Sequence, residues 1–306
     1  MSDTQWIAVD WGTSNVRAWG IDADGATVFS ESSDEGMSRL TPDRYPEVLA
    51  RLVGDRFNTA DGSTDVLICG MAGARQGWLE APYLETPAAL TRLAAGAVRP
   101  SAGAKLNARI LPGICQRANG DEDVMRGEET QLLGLLALRP GFAGTVVMPG
   151  THSKWVSIDD GRIVRFATAM TGELYDVLGT HSVLRHSLGG ERMGPATEDG
   201  IAAGIERGLA HPEQLTSLLF RTRAASLLSG RGADWCSGYL SGLLVGAEIG
   251  GHRDWLGGSV VPLVGSARLC RLYAAAIDKA GGQTETIDAT EATLAGLKAA
   301  REQEPA

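Results

Sequence analysis

From Trp6 onward the chain alternates short apolar runs with polar turns. Ile7-Ala8-Val9 leads into Asp10, and Val16 to Gly20 resumes the apolar pattern after Trp11-Gly12-Thr13-Ser14-Asn15. Asp22-Ala23-Asp24-Gly25 predicts a turn and Thr27 to Ser30 a third strand, so this stretch predicts an antiparallel meander. Thr41 then reads as a helix N-cap with Pro42 at the first helical position, and Val48, Leu49, Leu52, Val53 and Phe57 recur at helical spacing. Asp65 to Cys69 predicts a short buried strand ending at Gly70, followed by a polar, glycine-rich loop over residues 70–83. Ala88 to Ala104 carries little pattern. Ala108 to Leu111 predicts a strand closed by Pro112-Gly113, and Glu128 to Leu138 a helix stopped by Arg139-Pro140-Gly141.

The opening pattern then returns. Val146-Val147-Met148-Pro149-Gly150-Thr151-His152-Ser153-Lys154 and the apolar run to Ile158-Asp159 repeat the strand, Gly-Thr turn and strand of Ile7 to Asp22. Arg162 to Thr168 supplies a third strand, as Thr27 to Ser30 does in the first copy. An internal repeat of this kind predicts two related lobes. The boundary falls near Gly141-Phe142, which gives an N-terminal lobe over 1–141 and a C-terminal lobe over 142–306. Helices are predicted at Glu173–Leu188, Thr197–Gly208, Pro212–Leu228, Asp234–Ile249, Ser266–Ala280 and Asp288–Ala300. Ser259 to Val264 is an apolar strand running into Gly265-Ser266.

Composition narrows the field. The 306 residues suffice for two domains; 43% are hydrophobic and 21% charged, as in globular proteins. A formal net charge of −9 argues against general nucleic-acid binding and against an electrostatic membrane anchor. The N-terminal residues do not read as a signal peptide, and no run of about 18 apolar residues could span a bilayer. Cys69, Cys115, Cys236 and Cys270 are far apart in sequence, which excludes a Cys-x-x-Cys or zinc spacing. A cytoplasmic protein is the resulting expectation.

Candidate chemistry clusters around the repeat. Glycine at a turn lets a ligand approach the backbone, and its neighbours offer N–H and hydroxyl donors. Gly12, Thr13 and Ser14, with Gly150 and Thr151, are therefore phosphate candidates. Lys154 and Arg17 could add positive charge, or could be surface positions on the second hairpin strands. Asp10 ends an apolar strand just before the turn; it is either an Asx-turn residue or a Mg²⁺ ligand, since Mg²⁺ prefers one or two carboxylates plus phosphate oxygens. Gly265 and Ser266 open a helix, where backbone N–H groups suit an anion or a nucleotide edge, although Ser266 also reads as a plain N-cap. Glu128 and Glu129 lie on the first turn of a helix that leads into the second Gly-Thr strand. They either compensate the helix dipole or supply a general base. Arg75, Gln76, Trp78, Glu80 and Tyr83 mix charge, amide and aromatic groups as a sugar acid would need, or form an ordinary loop with Trp78 on the surface. The histidines show no ligand spacing. The P-loop, the dinucleotide fingerprint and the nucleophile elbow are absent.

Asp10-Trp11-Gly12-Thr13-Ser14, Gly150-Thr151 and Val264-Gly265-Ser266 resemble, in order, the first phosphate, second phosphate and adenosine motifs of the superfamily of sugar kinases, Hsp70 and actin. With Gly70 to Trp78, Met125 to Gln131, Pro149 to Trp155 and Met170-Thr171-Gly172-Glu173-Leu174, the chain is similar to the 2-dehydro-3-deoxygalactonokinase family. The resemblance implies an α/β, two-lobed ribonuclease-H-like fold of the actin/hexokinase type, with a cleft between lobes that closes on its substrates. It implies phosphorylation of 2-dehydro-3-deoxy-D-galactonate at the 6-hydroxyl by ATP, with Mg²⁺ as cofactor. Asp10 would then orient Mg²⁺, Thr13 and Ser14 would meet the phosphates opposite Gly150 and Thr151, and Gly265 and Ser266 would border the adenosine. Glu128 would be the base, with Glu129 its rival. Arg75 or Arg126, with Gln76, would hold the sugar-acid carboxylate. Two departures stand out: the second motif begins Met148-Pro149-Gly150 rather than with an acid, and glutamate stands where such kinases often use aspartate. The rival readings are a kinase of the same fold for another sugar acid, and a non-catalytic nucleotide-dependent scaffold. A homodimer is left open.

Overall fold

The computed structural model describes residues 4–54, 56, 63–117, 120–189 and 196–303. The chain forms two compact units: residues 1–143, 158–165 and 289–306, and residues 144–157 and 166–288.

In the first unit, β1 (Trp6–Trp11), β2 (Val16–Ile21) and β3 (Thr27–Ser33) form the expected meander. The expected helix arrives late: Pro42–Arg44 makes a 3₁₀ turn after Thr41, and α1 (Tyr45–Val53) begins only at Tyr45. Phe57 lies outside the described residues. β4 (Thr64–Gly70) then pairs parallel with β1. β5 (Tyr83–Glu85) ends the glycine-rich loop, and the weakly patterned stretch after it holds β6 (Ala88–Ala89) and two 3₁₀ turns. β7 (Leu106–Ile110) pairs parallel with β4 and completes the order β3-β2-β1-β4-β7. β8 (Gly113–Gln116) and β9 (Asp123–Met125) join β5 in a small second sheet, which the sequence pattern does not announce. α2 (Glu128–Leu138) starts and stops as predicted.

Ile7, Val9, Trp11, Val66 and Ile68 bury one sheet face against Tyr45, Val48, Leu49 and Val53 of α1. Burying each such aliphatic side chain stabilises by roughly 1.5–3 kcal/mol over leaving it exposed. Trp6, Ala8, Leu67 and Cys69 are buried as well. Strands covered on both faces read as continuous apolar runs, as β1 and β4 do.

The second unit repeats the plan. β10 (Gly144–Met148), β11 (Ser153–Asp159) and β12 (Arg162–Ala169) are consecutive, with Asp160 and Gly161 both at positive φ in the connecting turn. That is the backbone a tight two-residue hairpin requires. The hairpin end at 158–165 belongs to the first unit, where Arg162 and Ile163 pair with Ala89 and Ala88 of β6. α3 (Thr171–His181) stops earlier than the predicted helix because Ser182 caps a separate 3₁₀ turn at Val183–Ser187. α4 (Glu198–Ala210), α5 (Leu215–Ser229) and α6 (Ala233–Gly251) follow; Pro212 opens a 3₁₀ turn and α5 begins after it. α4 and α6 cross closely, because a Cβ at Gly204 or Gly242 would strike the other helix's backbone. β13 (Val260–Gly265), α7 (Ala267–Lys279) and β14 (Gln283–Asp288) end the unit, with β10, β13 and β14 parallel.

The order β12-β11-β10-β13-β14 matches β3-β2-β1-β4-β7 strand for strand. The duplicated sheet is the α/β ribonuclease-H-like fold that the resemblance implied. α8 (Ala289–Glu302) returns to the first unit and packs on α2, β1 and β4. All four cysteines are free and buried. No helix among the described residues is long and apolar enough to cross a membrane.

Candidate active site

In the first unit the turn after β1 turns its amides outward. The carbonyls of Gly12, Thr13 and Ser14 accept from the N–H groups of Met37 (3.0 Å), Ser38 (2.9 Å) and Gly36 (3.3 Å). A trans peptide points its carbonyl and the following N–H in opposite directions. The amides of Thr13, Ser14 and Asn15 are therefore aimed away from that backing segment, and all three residues are exposed. Gly36 makes this possible, because a Cβ there would overlap the backbone of Thr13 and Ser14.

Asp10 ends up beside this turn, paired with Arg17 on β2 and Cys69 on β4. The Cys69 thiol donates to its Oδ1 at 3.9 Å. Burial pushes the Asp10 carboxyl up, opposed by the Arg17 charge and the Cys69 contact. Arg17 is exposed and donates to Thr290 Oγ1 at 2.6 Å, so it occupies a surface position. Among the described residues no group of three or more His, Cys, Asp or Glu is placed to cage a metal. A lone part-buried carboxylate still fits Mg²⁺, which keeps waters and phosphate oxygens as its other ligands.

Two glycines bring α2 to the same place. Gly70, at φ +87, lies against the Trp11 carbonyl, with Asp10 Oδ1 3.5 Å from where its Cβ would stand. Gly127, at φ +108, lies against Gly70 Cα in turn. The first turn of α2 therefore starts next to Asp10, and its two acids separate there. Glu129 is wholly buried; it accepts from the Gly127 N–H at 2.7 Å and the Thr130 hydroxyl at 3.2 Å. Burial, then the neighbouring Glu128 charge, push its carboxyl up to about 8. Glu128 is part-exposed, and its Oε2 accepts from the Arg126 N–H at 3.0 Å.

Arg126 lies between the loop and the small sheet. Its Nη2 donates to the Ala81 carbonyl at 2.8 Å, and its guanidinium sits 4.4 Å over the Tyr83 ring. Nε and Nη1 are buried and have no hydrogen-bond partner among the described residues. Nη1 stands 2.7 Å from where a Gly73 Cβ would be. Arg75 and Gln76 are exposed on the same loop. Trp78 is not a surface residue: it is 9% exposed and stacks on Tyr45 at 5.8 Å beside Trp11, because the loop folds back through Trp78 and Leu79 N–H bonds to Ala72.

The second unit builds its own turn the same way. The Thr151 carbonyl accepts from the Glu173 N–H at 3.0 Å, which directs the His152 amide outward. Gly172 backs the turn as Gly36 backs the first: a Cβ there would lie 2.5 Å from the Gly150 carbonyl oxygen. Gly150 itself has no such need. Its φ is ordinary, and the nearest atom to an added Cβ is 4.0 Å away. Lys154 is buried rather than on the surface, and its Nζ donates to Thr168 Oγ1 at 2.8 Å. Gly265 ends β13, and Ser266 Oγ caps α7 by accepting from the Leu269 N–H at 3.5 Å.

The model of the 2-keto-3-deoxy-galactonokinase family matches residues 10–300. The chain belongs to this family. It is 43% identical over 96% of each chain to a protein of Rhizobium meliloti (strain 1021) assigned as a 2-dehydro-3-deoxygalactonokinase. It is 38% identical, with the same coverage, to the 2-dehydro-3-deoxygalactonokinase of Escherichia coli (strain K12). A crystal structure of a Sinorhizobium meliloti protein with the same assignment superposes with a TM-score of 0.90 at 43% identity, over 97% of this chain and 98% of that one. The family resemblance read from the sequence is thereby established. Gly36 and Gly172, which back one turn each, are not singled out for that role by the sequence pattern, although Gly172 stands in the Met170–Leu174 segment that carries the resemblance; the glycine character of each answers to a neighbouring backbone distant in sequence.

Proposed function

We propose that the chain transfers the γ-phosphoryl group of ATP to the 6-hydroxyl of 2-dehydro-3-deoxy-D-galactonate, a cytoplasmic step of galactonate catabolism. The outward amides of Thr13, Ser14 and Asn15 bind phosphate oxygens, as does the turn at Gly150 and Thr151, where the absent Cβ leaves room for close approach. Gly265 and Ser266 border the adenosine. Asp10 holds Mg²⁺, which supplies charge neutralisation at the phosphates. Phosphoryl transfer depends mostly on such positioning and electrostatics. Glu128 accepts the proton of the substrate hydroxyl. Glu129 is unsuited to that role, since it is buried, bonded to its own helix start and held largely neutral at pH 7.

Arg126 is the observation that supports a sugar acid over a neutral sugar. Two buried guanidinium nitrogens lack acceptors immediately before the α2 start, and a buried donor left unpaired is costly. A substrate carboxylate removes that cost; Arg75 and Gln76 stand at the loop's exposed edge as secondary contacts. Arg126→Met is expected to raise the KM for the keto acid by about 10–100-fold, the loss of one charge-assisted hydrogen bond or pair. The KM for ATP should stay within about twofold of the parent. Gly73→Ala, which presses on Nη1, should shift the same constant in the same direction. Initial-rate kinetics on both substrates decide this: an unchanged keto-acid KM in folded Arg126→Met removes the carboxylate assignment.

A further inference from the structure

The second unit contains a buried carboxylate that the proposed chemistry does not use. Glu248, on the last turns of α6, is 7% exposed. Its Oε1 accepts from Trp155 Nε1 at 2.8 Å. Its Oε2 accepts from Tyr273 Oη at 2.6 Å and from the Thr171 hydroxyl. Tyr273 Oη in turn lies 2.7 Å from Ser153 Oγ. Since Tyr273 gives its proton to Glu248, its oxygen is free to accept the Ser153 proton. Burial pushes the Glu248 carboxyl up, and the Thr171, Tyr273 and Trp155 donors oppose that push.

The residues gathered here are significant for where they lie in the chain. Ser153 and Trp155 open β11 immediately after Gly150-Thr151-His152. Thr171 opens α3 one residue before Gly172, which backs that turn, and two before Glu173, whose N–H holds the Thr151 carbonyl. One carboxylate thus ties down both sides of the second turn: the strand leaving it and the helix start behind it. His252 stacks on Trp155 at 4.8 Å and holds its Nδ1 2.8 Å from the Glu248 carbonyl, which fixes the far side of the same indole. The close α4–α6 crossing fixes the helix that carries Glu248.

We infer that Glu248 is a positioning residue for the second phosphate turn, acting through Ser153–Tyr273, Trp155 and Thr171 to hold the turn's backbone in its nucleotide-binding geometry. The inference rests on the reading of Gly150-Thr151 as a phosphate turn. Glu248→Gln keeps the volume but replaces an all-acceptor group with one that is half donor: with the amide oxygen kept for the Thr171 and Tyr273 hydroxyls, its NH2 faces the Trp155 N–H, which then has no acceptor, and the flipped amide turns its NH2 on both hydroxyls instead.

The test compares Glu248→Gln, Tyr273→Phe and Gly150→Ala with the parent in steady-state kinetics, with Tm recorded for each. Glu248→Gln is expected to raise the KM for ATP by about 10-fold, corresponding to one charge-assisted hydrogen bond. The KM for the keto acid should stay within about twofold. Tyr273→Phe, which removes the Tyr273–Glu248 bond and with it the link to Ser153 while leaving the Trp155 and Thr171 bonds, should shift the ATP constant in the same direction by less, and it decides the question if Glu248→Gln does not fold. An ATP KM unchanged in a folded Glu248→Gln or Tyr273→Phe protein, with only Tm lowered, assigns the network a purely structural role and overturns the inference. Gly150→Ala separates the two levels. It should raise the ATP KM by placing a methyl where the phosphate approaches. If it does not, the phosphate reading of the turn fails and the inference fails with it; if it does while Glu248→Gln does not, only the inference fails.

Discussion

Glu128→Gln is expected to fold with an unchanged Tm and to lose about 10²- to 10⁴-fold in kcat, the usual contribution of a positioned general base. The substitution keeps the side chain's shape and leaves an amide oxygen to accept the Arg126 N–H, which now bonds the carboxylate at 3.0 Å. The ability to take a proton is lost, together with the charge that helps push the Glu129 carboxyl up. KM values should change little, since the residue acts on the proton in transit. Glu129→Gln should behave differently. Its carboxyl is already pushed up to about 8 by burial and by the Glu128 charge, so the amide resembles the form present at pH 7. A glutamine at 128 with near-parent kcat would place the base elsewhere, and a collapse of kcat in folded Glu129→Gln alone would move it one residue along the helix.

Gly296→Ala is expected to destabilise the first unit by about 1–3 kcal/mol or more, the range for overpacking a tight contact. Propensity alone argues the other way, since alanine in a helix is favoured over glycine by roughly 0.5–1 kcal/mol. Packing decides the sign. A Cβ at Gly296 would overlap the Thr130 carbonyl, and one at Gly134 would overlap the Ala292 carbonyl, so α2 and α8 touch backbone to backbone. Thr130 is the residue after Glu129, so forcing the helices apart also displaces the start of α2, and kcat should fall along with the denaturant midpoint. A midpoint equal to or above the parent's would show that the helices do not meet at this glycine pair.

The legible parts of this chain are those where local pattern and tertiary demand agree. The hairpins of both Gly-Thr turns follow from apolar runs interrupted by glycine, and the structure keeps them. α2 announces itself at both ends, with two acids in its first turn and Arg139-Pro140-Gly141 after its last. The start of α1 was less legible because Thr41-Pro42 suits a 3₁₀ turn as well as an α-helix, and the turn takes those residues. β14 escaped notice because Gln283-Thr284-Glu285-Thr286-Ile287-Asp288 buries only Ile287; backbone pairing with β13 makes it a strand, not apolar alternation.

The site divides in the same way. Gly12 to Ser14 and Gly150-Thr151 stand out as candidates because the turn occurs twice, and Asp10 stands out by its place at a strand end just before the first turn. The choice between Glu128 and Glu129, and between Arg75 and Arg126, does not, because both members of each pair suit the local sequence. Burial distinguishes them: Glu129 is sealed beneath the helix start, and Arg126 is enclosed with unpaired nitrogens where Arg75 is open to solvent. Lys154 and Trp78 looked capable of surface positions; a bond to Thr168 and a stack on Tyr45 draw them inside. Gly36 and Gly172 are the clearest gap, since each is required by a backbone that only the fold brings against it.

The most direct measurement is coupled ADP release with ATP and Mg²⁺ against a panel of acceptors: 2-dehydro-3-deoxy-D-galactonate, its gluconate epimer, galactonate and neutral hexoses. The account predicts turnover strongly favouring the galactonate-derived keto acid, with the neutral hexoses near background. Turnover confined to a neutral hexose, or ATP binding with no acceptor-stimulated ADP release at all, would contradict it.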